Sequence, residues 1–307
     1  MPVALTVEGS GLGAVAAAAS LSRAGHPVVA PDLSDAVAGG PTLVLNEKTL
    51  WMIGDLFGPE LFSDVVAEGI AIGHRRLRWN TDRFAKLPEK SLSVDAARLA
   101  SQLVRMIPAV RDNPRVTVRA RGRRANLGIA ARPLAAYVWD LPLSSDGHLD
   151  WCATITVGQG WAALAPSPSG GINLQVYLTC GAEPEARENG YEVLDLLGLD
   201  AHGGLDDPPR RLDASTRLGA LWQEAYCPVG DEALALDPLA GDGFGHTIRA
   251  ALWVSSLLGA EDLSDSSRRK LFRRRMVDVF RQHLQNCARY YWHLDPSNAV
   301  SSRLRTH

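Results

Sequence analysis

The most constraining feature of the chain lies in its first 32 residues. An apolar run at residues 3–7 stops at Gly9-Ser10-Gly11-Leu12-Gly13-Ala14. An Ala/Leu/Val/Ser-rich run over 12–24 then ends at Gly25, and residues 26–30 form a second apolar run before Asp32. This pattern predicts strand, glycine turn, helix and strand, a βαβ unit that commits the chain to an α/β fold with a parallel sheet. Gly9 permits a tight turn, Gly11 lets backbone approach a diphosphate, and Ala14 allows close helix–strand packing. The helix start offers unpaired N–H groups and a positive dipole end to phosphates. Asp32, 23 residues after Gly9, is placed to accept hydrogen bonds from ribose hydroxyls. A plain βα turn of another α/β fold, with Asp32 an ordinary loop acid, is the alternative.

Further along, periodicity predicts helices at 47–57 and 95–106 and short β segments at 66–80. Four β-rich runs between 134 and 180, separated by Ser-Ser-Asp-Gly and Ser-Pro-Ser-Gly-Gly turns, predict an antiparallel meander. Residues 181–216 read as a surface excursion around one short helix at about 191–199. A strand, a glycine-rich turn and an apolar helix at 246–258 follow, then a helix over about 262–295 that is basic at its start and aromatic at its end.

With 32 Lys+Arg against 34 Asp+Glu and a net charge of −2 in 307 residues, nothing in the overall charge favours nucleic acid or an anionic membrane as partner. Cys152, Cys180, Cys227 and Cys287 form no CxxC pair and read as reduced thiols. Without a signal-like start or an 18-residue apolar stretch, the expectation is a soluble, cytoplasmic protein. His74, His148, His202, His283 and His293 show no metal-ligand spacing, so no metal is expected. The cationic run at 268–275 reads as the solvated face of an amphipathic helix, with Leu271, Phe272, Met276, Val279 and Phe280 as its apolar stripe.

The second informative segment is Val229-Gly230-Asp231-Glu232-Ala233 followed by Leu236-Asp237-Pro238-Leu239-Ala240-Gly241-Asp242-Gly243-Phe244-Gly245. Together with the N-terminal glycines it resembles the flavoprotein monooxygenases of the p-hydroxybenzoate hydroxylase fold, in particular their tryptophan-halogenase-like branch. That branch includes flavoproteins that mature peptide-derived quinone cofactors. The resemblance implies a Rossmann-type FAD-binding domain (1–60, 95–135 and 217–260) interleaved with an antiparallel β substrate domain (61–94 and 136–216), and a C-terminal helical segment (261–307). It implies FAD held by Gly9, Gly11, Leu12, Gly13, Ala14 and Asp32, its ribityl chain by Asp231, and its ring beside Pro238, Gly241, Gly243, Phe244 and Gly245. Arg98 would stand in for a cofactor-facing arginine, because Ala96 occupies a position near that one.

Departures from the family pattern are Glu232 where Ala is usual, Arg119 where an acid is usual in Arg119-Ala120-Arg121-Gly122-Arg123, and a short stretch between Met106 and Val118. These imply a loosely held or exchanged flavin. The halogenase Trp-x-Trp-x-Ile-Pro box is missing, Trp79 being its nearest echo, so chlorination is not expected. No second glycine fingerprint for NADPH is present, so a separate flavin reductase is the expected partner. The implied activity is oxygenation of an aromatic or amino-acid-derived substrate, small molecule or polypeptide, through a flavin C4a-hydroperoxide. Trp139, Trp151, Trp161 and Tyr177 are candidate cleft walls, and His246, at the start of the helix after the glycine loop, is a candidate proton carrier. The alternatives are a degenerate, non-catalytic flavin-binding partner protein and an NAD-dependent reductase.

Overall fold

The computed structural model describes residues 2–29, 42–110, 114, 116–123, 128–143, 149–179, 181–219, 221–223, 226–258 and 266–291. The elements in chain order are β1 (Leu5–Glu8), α1 (Gly11–Arg23), β2 (Val28–Val29), β3 (Thr42–Asn46), α2 (Glu47–Phe57), α3 (Pro59–Glu68), β4 (Ile70–Arg78), β5 (Ala85–Asp95), α4 (Ala96–Val104), β6 (Val116–Arg119), β7 (Ile129–Arg132), β8 (Ala135–Leu141), β9 (Trp151–Val157), β10 (Gly160–Pro166), β11 (Ile172–Leu178), α5 (Glu183–Leu197), β12 (Arg210–Asp213), β13 (Thr216–Leu218), β14 (Tyr226–Pro228), β15 (Leu234–Ala235), α6 (Gly243–Leu257) and α7 (Ser266–Tyr291).

The first sheet is parallel, in the order β14-β6-β1-β2. Strands from both ends of the sequence therefore lie side by side. Helix α1 packs against this sheet and is buried on several sides: Ala14, Ala17, Ala18 and Leu21 face one core, and Val15, Ala16 and Ala19 another shared with α2, α3 and α4. Its alanines let these neighbours approach closely, which explains a run so poor in large side chains.

The second sheet has eight strands in the order β12-β8-β11-β10-β9-β4-β5-β3. The expected meander holds for β9-β10-β11, which pair antiparallel in register. Strand β8 instead lies beyond β11, and β9 runs parallel to β4. Residues 59–68 form a helix, because Leu61 and Val65 bury one face, and its last residues, 66–68, take the place of the start of the β segments expected at 66–80. The surface excursion is also a correction: α5 is a 15-residue helix, and its Ala186, Val193 and Leu194 close the core over Trp139, Leu141, Ile155 and Leu174. A small third sheet joins β7, β13 and β15.

Helix α7 returns across both sheets. Phe272 and Met276 sit in the core of the parallel sheet, whereas Cys287 and Tyr291 reach the core around Trp161 and Tyr177. Leu271, expected on the apolar stripe, is exposed. Part of the cationic run is structural. Arg268 donates to the Leu257 carbonyl at 3.0 Å, Arg273 donates to the Trp222 carbonyl at 3.2 Å, and Arg275 lies over the Trp253 ring.

Candidate functional site

The turn after β1 is set by Gly9. Its φ is +144°, and a Cβ there would stand 2.3 Å from the Ala120 carbonyl oxygen, so only glycine allows β1 and the end of β6 to meet. Helix α1 then starts without a side-chain cap from Ser10 and with no acid in its first turn. Its first N–H groups are thus left for another acceptor. Helix α6 also starts without a side-chain hydrogen bond from its capping residue, Asp242. Gly13 and Gly243 have ordinary backbone angles, and a Cβ at either would meet nothing within 4 Å. Neither internal packing nor backbone geometry demands glycine at these two positions. Bare backbone in front of open space is what a ligand lying against two helix starts requires.

Both turns open onto one cleft of about 580 Å3, within the usual range for a small-molecule or cofactor site. Leu12, Gly13, Asp231, Pro238, Gly241, Gly243 and Phe244 line it. Among the other expected cofactor residues, Gly9, Gly11, Ala14, Arg98 and Gly245 do not. Gly9 shapes the turn, Ala14 is buried under α1, and a Cβ on Gly245 would strike Thr49 and Asp242, so this glycine serves helix packing. Arg98 is exposed on α4, its backbone N–H capped by Asp95. Asp32 lies outside the described residues. The residues present fit a flavin dinucleotide: two uncapped helix starts, glycines facing empty space, and a carboxylate at Asp231.

That carboxylate is held from behind. Arg123 donates from Nε to Asp231 Oδ2 at 3.0 Å, while its Nη atoms donate to the Ser215 and Leu236 carbonyls. Next to it Glu232, 4% exposed, receives Arg121 at 2.7 Å and the Arg121 backbone N–H at 2.9 Å. One departure from the family pattern, Glu232, is thus paired with Arg121. Arg119 donates to Glu8 at 3.0 Å and covers the Tyr226 ring, outside the cleft lining.

A second buried network fixes the proline turn. The Tyr291 hydroxyl donates to Asp237 Oδ1 at 2.8 Å and accepts from Trp161 Nε1 at 2.9 Å. Asp237 also accepts from Leu239 N–H, and its own N–H donates to His283 Nε2 at 2.8 Å. Asp237 Oδ2 is buried and has no partner among the described residues. Helix α7 therefore ties the glycine loop to the eight-stranded sheet.

His246 does not reach the cleft. It is 1% exposed inside α6, edge-on to Trp253, and burial, with help from Arg249 and His283, pushes its pKa down to about 3. The imidazole is neutral at ordinary pH and faces no ligand space. Of the expected aromatic walls, Trp161 and Tyr177 line the cleft, stacked at 3.9 Å, whereas Trp139 and Trp151 belong to the core on the other face. Sequence reasoning missed Asn173, Gln175, Thr154, Arg75, Glu89 and strand β3, all of which line the cleft. One signal was available: Asn173, Gln175 and Tyr177 alternate with Leu174 and Val176, a polar face on an otherwise apolar strand. Among the described residues, no group of three or more His, Cys, Asp or Glu side chains could hold a metal, and no helix is long and apolar enough to cross a membrane.

No family model and no curated protein matches the chain. Solved structures do. A peptidyl tryptophan dihydroxylase, QhpG, essential for tryptophylquinone cofactor biogenesis, superposes with a TM-score of 0.75 at 18% identity, over 97% of this chain and 76% of that one. CmlS, a flavin-dependent halogenase, gives a TM-score of 0.75 at 15% identity over 99% of this chain and 68% of that one. A variant of HpxO from Klebsiella pneumoniae, complexed with FAD, gives 0.67 at 11% identity over 98% and 93%. The chain thus has the α/β fold shared by these three proteins, the fold that its two glycine motifs led us to expect.

Proposed function

We propose that the chain binds FAD in this cleft and is a flavin-dependent monooxygenase that hydroxylates or oxidises an aromatic or amino-acid-derived substrate. One observation carries the reading: two glycine turns from opposite ends of the sequence, each opening an uncapped helix, face a single cleft. Ser10, Leu12 and Gly13 would hold the diphosphate, Asp32 a ribose and Asp231 the ribityl chain. Pro238, Gly241, Gly243 and Phe244 would border the ring. FAD, when bound, supplies the two-electron and dioxygen chemistry. The protein's share is positioning and exclusion of water. Arg123 fixes the Asp231 carboxylate, the α6 helix start favours negative charge on the ring, and Trp161 and Tyr177 close the opposite wall. His246 has no part in proton transfer under this reading.

The similarity to a tryptophan dihydroxylase and a halogenase supports oxidation as the reaction class. The first sheet with its helices serves as the FAD domain and the eight-stranded sheet as the substrate domain. A separate flavin reductase delivers the electrons. The free, buried Cys152, Cys227 and Cys287 suit a reducing compartment such as the cytosol. The second reading, a flavin-binding partner protein without turnover, is favoured by the Arg123–Asp231 pair, which already occupies the ribityl-binding carboxylate.

The test is FAD titration of the purified chain, then anaerobic reduction and mixing with 18O2 in the presence of candidate aromatic substrates and peptides. Uptake of FAD with the label in product supports the oxygenase. FAD uptake with quantitative peroxide release and no labelled product supports the partner protein, and a chain indifferent to FAD refutes both.

A further inference from the structure

The floor of the cleft carries a hydrogen-bond chain whose direction is forced. It begins at Asp140, half-exposed and paired with Arg210 at 2.8 Å. A carboxylate so paired only accepts. Asn173 Nδ2 therefore donates to Asp140 Oδ1 at 2.7 Å, which leaves Asn173 Oδ1 to accept from Gln175 Nε2 at 2.6 Å. Gln175 Oε1 in turn receives the Tyr177 hydroxyl. The single O–H of Tyr177 is committed inward, so Oη offers only lone pairs to the cleft. Burial holds the phenol well above its ordinary pKa and keeps it neutral, and stacking on Trp161 fixes its ring.

Charge around the cleft points the same way. Its lining holds two arginines, Arg75 and Arg123, against four carboxylates, Glu89, Asp231, Asp237 and Asp242. Arg75 grips Glu89 through two hydrogen bonds of 3.2 Å and donates a third to Thr154, and Arg123 is held by Asp231. No lysine or histidine is among the described lining residues. A ligand carboxylate facing the eight-stranded sheet would find both lining arginines already paired, whereas an N–H or O–H donor there meets Tyr177 Oη. Ala163, Leu164, Ala165 and Leu239 supply apolar wall for a flat body.

We infer that the ligand of the substrate end is a neutral ring carrying an N–H or O–H donor that Tyr177 Oη accepts, and that free carboxylates are refused. Describing that ligand as substrate rests on the oxidation reading. The selectivity itself stands on the chain alone, so it is measured in the protein both with and without FAD. Calorimetric titration uses indole, 1-methylindole, which lacks the donor, and indole-3-carboxylate. Indole is expected to bind at least about five-fold tighter than 1-methylindole, the value of one ordinary hydrogen bond, and the carboxylate weakest. Tyr177→Phe should bring indole to the level of 1-methylindole. Gln175→Leu, which frees the phenol proton to point outward, should erase the same preference if the Phe variant does not fold. Equal binding of indole and 1-methylindole, a preference for the carboxylate, absence of indole binding, or an indole preference that survives both substitutions overturns the inference. Failure of FAD uptake with donor selectivity intact overturns only the oxidation reading.

Discussion

Tyr291 is the joint between the proline–glycine loop and the substrate sheet, and Tyr291→Phe tests that joint with the loss of one oxygen atom. Tyr291 is buried, donates to the Asp237 carboxylate at 2.8 Å and accepts from Trp161 Nε1 at 2.9 Å. Losing a hydrogen bond to a charged group costs about 1.5–3 kcal/mol, and stranding the Trp161 N–H in a site only 2% exposed adds about 1–3 kcal/mol. The ring and its contact with Arg132 remain in the variant, so no cavity term applies. The sum, about 2.5–6 kcal/mol, corresponds to roughly 4–9 °C in Tm for a chain of this size. Tyr290, its neighbour, has a half-exposed ring, and Tyr290→Phe should stay within about 0.5 kcal/mol of the parent. Thermal melts of the two variants read the contrast directly. A Tyr291→Phe protein melting within about 1 °C of the parent would refute the network.

Arg121→Ala leaves Glu232 buried with only a backbone donor. It should destabilise by about 2–3 kcal/mol, discounted because Arg121 is 43% exposed. Urea unfolding of Arg121→Ala/Glu232→Gln should recover most of the loss. Asp231→Ala should weaken FAD binding by one charge-assisted hydrogen bond, about 1.5–3 kcal/mol or roughly ten- to a hundred-fold, measured by flavin fluorescence. The buried His246 has a folded pKa of about 3 against 6.5 unfolded, so the unfolded chain takes up the proton first. The corresponding stability is complete above pH 6.5 and falls by about 1.4 kcal/mol per pH unit as pH drops from 6.5 towards 3. His26 and His283, also lowered by burial, add slope in the same direction. Unfolding of His246→Gln across pH 4–8 should show a shallower decline, and an unchanged slope would count against a neutral buried imidazole.

The parallel sheet and its glycine turns were legible because short-range rules act there: a strand must end, glycine alone permits the turn, and a helix start must follow. The α6 loop was legible for the same reason, since Asp237, Pro238 and the glycines act locally. Strand β4 lies within the β segments expected at 66–80, but β5 was not legible, because Phe84, Leu87 and the charged residues around them are exposed and show no alternation. Strand order was hidden as well. Whether β8 joins β9 or β11 depends on pairings between distant residues. Only the second half of helix α5 is legible, within the short helix expected at about 191–199, because Pro, Glu and Gly dominate its first turns; Ala186, Val193 and Leu194 face the sheet, whereas Leu196 is exposed. His246 misled for a physical reason: position beside the loop says nothing about which side of a helix a ring occupies. The alternation of Asn173, Gln175 and Tyr177 was readable as a polar strand face, but its place in the cleft and the grip of Arg123 on Asp231 came only from the folding of distant segments onto one another.

The central claim is that one FAD is held by both glycine turns at once. Equilibrium titration of FAD into the parent chain and into Gly13→Val and Gly243→Val tests it most directly, since a Cβ at either position meets nothing within 4 Å. The account predicts a yellow complex for the parent and loss of binding in each variant separately, with melting temperatures preserved. A parent chain that stays colourless with added FAD, or binding that survives either substitution, would contradict it.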